Sequence, residues 1–413
     1  MAVLSRSRHR WVVLAVGVGA QGAFAAMFSG IPVTGIAMRA GYRLTTGELG
    51  LVLACLGLGV AVSDLVWGLL TDRFGDRRVL LTGLTSTGLL LAVMAATVTP
   101  ADGAGVVPLA GCMAVAGALG GSVNGASGRA IMTWFQEGER GFAMSIRQTA
   151  IPVGGAVGVG LLPWLAHTYD FRAVYAAPAA FCLAAAAATW RWLHDPADRP
   201  RATEHPVTGH PVSEGPEGGG RSPLRRWDVW RLALAGSLLT VPQFAVLSFT
   251  AIFLHDVKGE GATLASVTVL IAQLGGGAAR IWTGRRTDRA GSASGTRRAY
   301  LRAIGALAGI AMAAAAVLTG APTPITVTAL ALGGLLANSW HGIAYTEIAA
   351  MAGPARAGTA LGLLGTALFA MGFLTPLLIP VVIAHASWTA VWALTAAAAL
   401  LAIPLAPAPV RAR

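Results

Sequence analysis

Charged side chains interrupt long apolar runs at Asp64, Arg129, Arg147, Arg280 and Glu347. A charge at the centre of a membrane helix costs roughly 2.5–3.5 kcal/mol on insertion scales, so each one calls for a partner or a task. Arg280 suits the capture of an anion, because a planar guanidinium offers a carboxylate two parallel N–H donors. The competing task is a structural ion pair, with Asp64 as the partner; Arg129 and Arg147 are further candidates to pair with Asp64. Arg129, Arg147 and Glu347 fit either snorkelling or a gate at the mouth of a path. His341 titrates near neutral pH when unperturbed, which suits a coupling proton as well as a hydrogen-bonded helix contact. The amides Gln21, Asn124, Gln243, Gln273 and Asn338 also lie near the middle of apolar runs. There an amide either lines a polar path or bonds a neighbouring helix.

These residues need helices to hold them in a membrane. Of the 413 residues 55% are hydrophobic and 12% charged, about half the charge density of a soluble globular protein. That excludes a cytosolic enzyme, a disordered chain and a disulfide scaffold. Runs long enough to span a bilayer fall at 11–31, 48–70, 79–99, 106–133, 142–167, 172–193, 227–254, 263–284, 299–320, 325–352, 359–384 and 387–408. The first follows Arg6, Arg8 and Arg10 and reads as a retained helix rather than a signal peptide. The net charge of +12 follows from the bias that keeps cationic loops in the cytoplasm, not from nucleic acid. Arginines crowd alternate loops, as at Arg73, Arg77 and Arg78, Arg225 and Arg226, and Arg297 and Arg298, and they place both termini in the cytoplasm. Cys55, Cys112 and Cys182 lie at no metal-ligand spacing. No Gly-x-x-x-x-Gly-Lys-Ser/Thr loop suggests an ATP-driven pump, and no cofactor is expected.

The chain divides at a hydrophilic, Pro- and Gly-rich stretch, 194–226, which reads as a linker between bundles 1–193 and 227–413. The halves repeat one another. Gly68-Leu-Leu-Thr-Asp72-Arg73-Phe-Gly75 ends the second span, and Gly284-Arg-Arg-Thr-Asp288-Arg289-Ala-Gly291 ends the eighth. Ala118-Leu-Gly-Gly121 in the fourth span is matched by Ala331-Leu-Gly-Gly334 in the tenth. A parallel repeat of this kind builds transporters that rock one bundle against the other. Gly68 permits close helix approach, Gly75 a tight turn, and Asp72 can meet a helix N-terminus or a loop arginine.

The motif Gly68-x-x-x-Asp72-Arg73-x-Gly75-x-Arg77-Arg78 resembles the signature loop of the major facilitator superfamily. With its copy at Asp288 and Arg289, the twelve spans and the linker, the resemblance covers the whole chain. It implies an all-α integral membrane protein with twelve transmembrane helices in two pseudo-symmetric six-helix bundles. It further implies a monomeric plasma-membrane transporter of a small molecule working by alternating access, with proton coupling left open. Gating falls to Asp72 and Arg73, and by analogy to Asp288 and Arg289. The first, fourth, seventh and tenth helices line the cavity in that family, matching Gln21, Asn124, Gln243, Asn338 and His341. Arg280 is similar to an arginine of monocarboxylate and oxalate/formate transporters that pairs with the substrate carboxylate. Gly276 stands where monocarboxylate transporters carry an aspartate, so coupling through that position is not carried over. Pro152-Val-Gly154-Gly155 is similar to the Gly-Pro-x-x-Gly-Gly motif of drug/proton antiporters, with the spacing altered. Efflux of drugs or metabolites is therefore the alternative; a membrane scaffold or intramembrane enzyme is the remote one.

Overall fold

The computed structural model describes residues 2–194, 222–290 and 293–407. Its regular elements are helical: α1 Ala2–Val33, α2 Gly35–Gly41, α3 Thr46–Phe74, α4 Asp76–Thr97, α5 Val106–Gly120, α6 Ser122–Trp134, α7 Arg140–Thr168, α8 Phe171–Trp192, α9 Trp227–Lys258, α10 Ala262–Asp288, α11 Ala293–Val317, α12 Thr323–Ser339, α13 His341–Ala352, α14 Ala357–His385 and α15 Trp388–Leu405. The expected linker, 194–226, lies mostly outside the described residues.

Among the described residues, eleven helices are long and apolar enough to cross a membrane, with α5 and α6 together forming one of them. The twelfth crossing is the tenth expected run, split at Trp340 into α12 of 17 residues and α13 of 12. A side-chain donor accounts for the break. The Asn338 carbonyl accepts from Arg280 Nε, and such an insertion into the helical ladder kinks a helix. The fourth span breaks likewise, at Gly121.

The two halves pair their helices by one scheme. In the first, α1 packs along α7, α3 along α5 and α4 along α8. In the second, α9 packs along α14, α10 along α12 and α11 along α15. Small residues set these contacts, as expected where lipid supplies no hydrophobic drive between helices. Gly22, Ala26 and Gly30 of α1 face Gly154 and Gly158 of α7, and a Cβ on Gly30 would sit 2.7 Å from the Gly158 carbonyl carbon. The glycines beside Pro152 thus hold a close helix pair. The halves meet along two seams, α3 with α14 and α7 with α10.

Contacts between loops gather the arginine-rich segments on one face. Arg10 Nη1 meets Glu139 Oε2 at 2.5 Å, Arg77 Nη2 donates to the Trp190 carbonyl at 2.8 Å, and Arg226 Nη1 to the Met351 carbonyl at 2.6 Å. Asn124 and Arg129 sit on α6, and His341 and Glu347 on α13; these helices are buried from Ser122 to Met132 and from His341 to Ala349. A helix buried all round stands at the centre of its bundle.

Candidate functional site

At the arginine-rich face each repeated loop reaches across a seam. Asp72 accepts from the main-chain N–H groups of Gly358 at 2.8 Å and Thr359 at 2.7 Å, and from the Thr359 hydroxyl at 2.6 Å. Asp288 accepts from Gly141 N at 3.0 Å and Phe142 N at 2.7 Å. The donors are unpaired N–H groups of the first turns of α14 and α7, where an anion is favoured by the helix dipole. Glycines bring the backbones within reach. A Cβ on Gly358 would meet the Gly68 carbonyl at 2.7 Å, and one on Gly141 the Gly284 carbonyl at 3.0 Å. Arg73, Arg78 and Arg289 are exposed; Arg73 lies over the Phe74 ring at 5.2 Å, and Arg77 is tied to Trp190.

Just inside the seams lie buried ion pairs. Arg129 meets Asp76 Oδ1 at 2.7 Å and Asp72 Oδ1 at 3.3 Å. Glu347 meets Arg297 at 2.8 Å and Arg298 at 2.6 Å. The charge order is inverted between halves: the cation sits on the fourth span and the anion on the tenth. Neither Arg129 nor Glu347 snorkels. The pair expected between Asp64 and Arg129 or Arg147 is not formed among the described residues. Asp64 lies eight residues before Asp72 on α3, about 12 Å along the helix, and Arg129 stands at the level of Asp72.

Deeper in, Asp64 is fully buried against Gly365 on the α3–α14 seam; its Oδ2 accepts from Asn124 Nδ2 at 3.2 Å and its Oδ1 has no partner. Gln21 Nε2 donates to Asn124 Oδ1 at 2.9 Å, and Arg147 Nη1 to Gln21 Oε1 at 3.4 Å. Asp64 therefore reaches Arg147 only through two amides. Arg147 also donates to the Asn124 carbonyl at 2.9 Å and lies 5.5 Å from the Tyr345 ring centre. Arg280 donates from Nη1 to the Gln148 carbonyl at 2.9 Å and from Nη2 to Asn338 Oδ1 at 3.2 Å. It belongs to the α7–α10 seam, whereas Asp64 belongs to α3–α14. That separation is why the competing Asp64–Arg280 pair is absent.

Arg147 and Arg280 are thus buried cations with no carboxylate at ion-pair distance among the described residues. Around them Arg147 Nε is buried without a hydrogen-bond partner, the buried Gln148 side chain meets the Tyr345 hydroxyl, and the buried His341 meets the Asn338 backbone. His341 stacks on Trp340, ring centres 4.0 Å apart. Gln243 on α9 is half-buried with its Oε1 unpartnered, and Gln273 is half-buried on α10 about two turns from Arg280. The sequence alone does not single out Gln148, Tyr345 or Asp76, and Arg297 and Arg298 read there only as arginines of a cytoplasmic loop. Gln148 follows Arg147, and Asp76 stands within the loop motif itself; those neighbours were the available signals.

A cavity of about 390 Å³ lies in the half of the molecule away from the arginine-rich face, lined by Phe28, Leu53, Gly57, Phe244, Phe369 and Phe373 among others. Two bundles of inverted charge, sealed at one face and hollow toward the other, define a multi-pass membrane transporter. The Major Facilitator Superfamily family model matches residues 16–376, and the chain belongs to that family. The MFS-type transporter Rv2994 of Mycobacterium tuberculosis is 30% identical over 404 residues, 96% of this chain and 85% of the relative. The human organic anion transporter MFSD10 superposes with a TM-score of 0.76 at 15% identity, covering 97% of this chain and 99% of that one. The transporter FucP in its outward conformation gives 0.70 at 15% identity, covering 96% and 98%. The fold is that of a twelve-helix secondary transporter, and the chain is a transporter rather than an enzyme.

Proposed function

We propose that this transporter carries a small organic anion by alternating access, the carboxylate meeting Arg280 and Arg147. One observation carries the reading: two buried guanidinium groups, held by carbonyls and amides, lack any carboxylate at ion-pair distance among the described residues. An uncompensated charge in this medium costs several kcal/mol, so a site with two of them favours an anionic guest. The buried Gln148 amide and His341 ring supply further polar contacts. Bundles 1–193 and 227–413 are the moving bodies. The arginine-rich face and both termini lie in the cytoplasm, at the plasma membrane. Asp64 and His341 are the groups suited to a coupling proton.

Binding of carboxylates to purified protein, compared with neutral and cationic analogues, tests the reading. Selective binding of carboxylates that weakens in Arg280→Gln is the expected result; equal binding of cations contradicts it. The apolar lining of the cavity favours a second reading, efflux of an apolar drug or metabolite. Transport of neutral apolar compounds unchanged in Arg280→Gln would support that instead.

A further inference from the structure

The arginines and the phenylalanine-lined cavity are joined along one face of α1. Gln21, Phe24, Phe28 and Pro32 follow one another at helical spacing. Gln21 accepts from Arg147, and Phe28 and Pro32 line the cavity. From Gln21 to Phe28 the helix rises about 10 Å. Between the two levels Phe24 and Phe28 meet Phe369 of α14 edge-on, ring centres 6.2 and 5.4 Å apart. On α9 the same junction recurs: Gln243 carries a buried unpartnered Oε1, and the next residue, Phe244, lines the cavity. Polar groups stand on one side of an aromatic layer and an apolar chamber on the other. Among the described residues Ser248 is the lining residue with a polar side chain, and none of them brings a charged side chain to the chamber.

We infer that the transported anion is amphipathic: a carboxylate for Arg147 and Arg280, attached to an aryl or alkyl body about 10 Å long that fills the chamber between α1, α3, α9 and α14. This rests on the anion reading above and adds the apolar half of the substrate. The volume of about 390 Å³ lies within the range of small-molecule pockets. A short hydrophilic anion such as acetate or lactate would leave the chamber empty, and its phenylalanines would contribute nothing to affinity. An aryl body stacks on those rings and gains affinity with each buried methylene. The chamber therefore sets selectivity by length and apolarity, while the arginines set it by charge.

Gly57 offers the test. A Cβ there meets only Phe373 Cδ2, at 4.0 Å, so Gly57→Leu adds a side chain to the chamber without striking backbone. Protein in lipid nanodiscs is titrated with benzoate, para-butylbenzoate and neutral para-butylbenzyl alcohol, with empty nanodiscs subtracting partition into lipid. Wild type is expected to bind para-butylbenzoate at least about tenfold more tightly than benzoate. Gly57→Leu is expected to remove most of that gain and leave benzoate affinity within about twofold. Equal affinity for the two carboxylates, or a gain that survives Gly57→Leu, overturns the amphipathic assignment and leaves the anion reading standing; the surviving gain would mean that lipid or another surface takes the butyl group. Binding of the alcohol as tight as that of the butylbenzoate removes the anion reading, and the amphipathic class with it.

Discussion

Asp72 holds Thr359 by two bonds across the seam between the halves, from its main-chain N–H at 2.7 Å and its hydroxyl at 2.6 Å. The contact exists only while α3 and α14 stay together, so it stabilises one conformation of the transporter and not the fold of either half. Hydrogen bonds to a charged group contribute about 1.5–3 kcal/mol each, and a helix N-cap typically about 1 kcal/mol. Asp72→Ala is expected to shift the closed-to-open ratio at the arginine-rich face by at least about tenfold, with thermal stability little changed. Labelling of a cysteine placed at Leu65 reports the opening. Asp72→Asn keeps an acceptor and should lie between. Unaltered labelling in Asp72→Ala would leave the motif as a topology anchor alone.

Glycines at the seam and within a bundle should separate conformation from folding. Gly362 faces Gly68 and Leu65 across the seam, whereas Gly158 faces Ala26 and Gly30 inside the first half. Gly362→Val is expected to force the seam apart, raising accessibility at Thr366 while the protein still inserts and purifies. Gly158→Val is expected to lower expression and melting temperature outright, because overpacking a close helix pair costs about 1–3 kcal/mol or more. The same phenotype for both would mean that the seam is part of the folded core.

Glu347 neutralises Arg297, 2% exposed, and Arg298. Removing one member of a buried pair strands the other at a cost of about 3–5 kcal/mol. Glu347→Gln is expected to lower thermal stability markedly, and Glu347→Gln combined with Arg297→Gln to recover much of the loss. A melting series on the three variants checks this; additive losses would contradict the pairing.

Asp64 and Arg280 occupy equivalent places in the two halves but lie on different seams. Neutralising both, in Asp64→Asn with Arg280→Gln, is therefore expected to leave anion binding as weak as in Arg280→Gln alone. Recovery of binding in the double variant would show that the two charges act as a pair.

The spans were legible because lipid demands unbroken apolar runs, and the repeat at Asp72 and Asp288 because it recurs as side chains. The partners of those aspartates were not. They are main-chain N–H groups of α14 and α7, and the glycines Gly358 and Gly141 that admit them resemble any other glycine of a membrane helix. Arg280 and Arg147 were visible as costly charges, but their seam depends on which helices of opposite halves touch. The same dependence hid the absence of an Asp64–Arg280 pair. The break in the tenth span arises from Arg280 bonding the Asn338 carbonyl, a long-range contact with no local signal in the Leu- and Ala-rich run around it. The chamber was equally hidden, since Phe28, Phe244, Phe369 and Phe373 come from three helices and read singly as lipid-facing residues.

The most direct measurement is carboxylate affinity in Arg280→Lys against wild type, in protein shown by melting to be folded. Lysine keeps the charge and loses the planar two-point donor. The anion account expects para-butylbenzoate affinity to fall by about 1.5–3 kcal/mol, roughly ten- to 150-fold, with the preference for carboxylate over alcohol retained but reduced. Affinity unchanged in Arg280→Lys and in Arg280→Gln alike would contradict it.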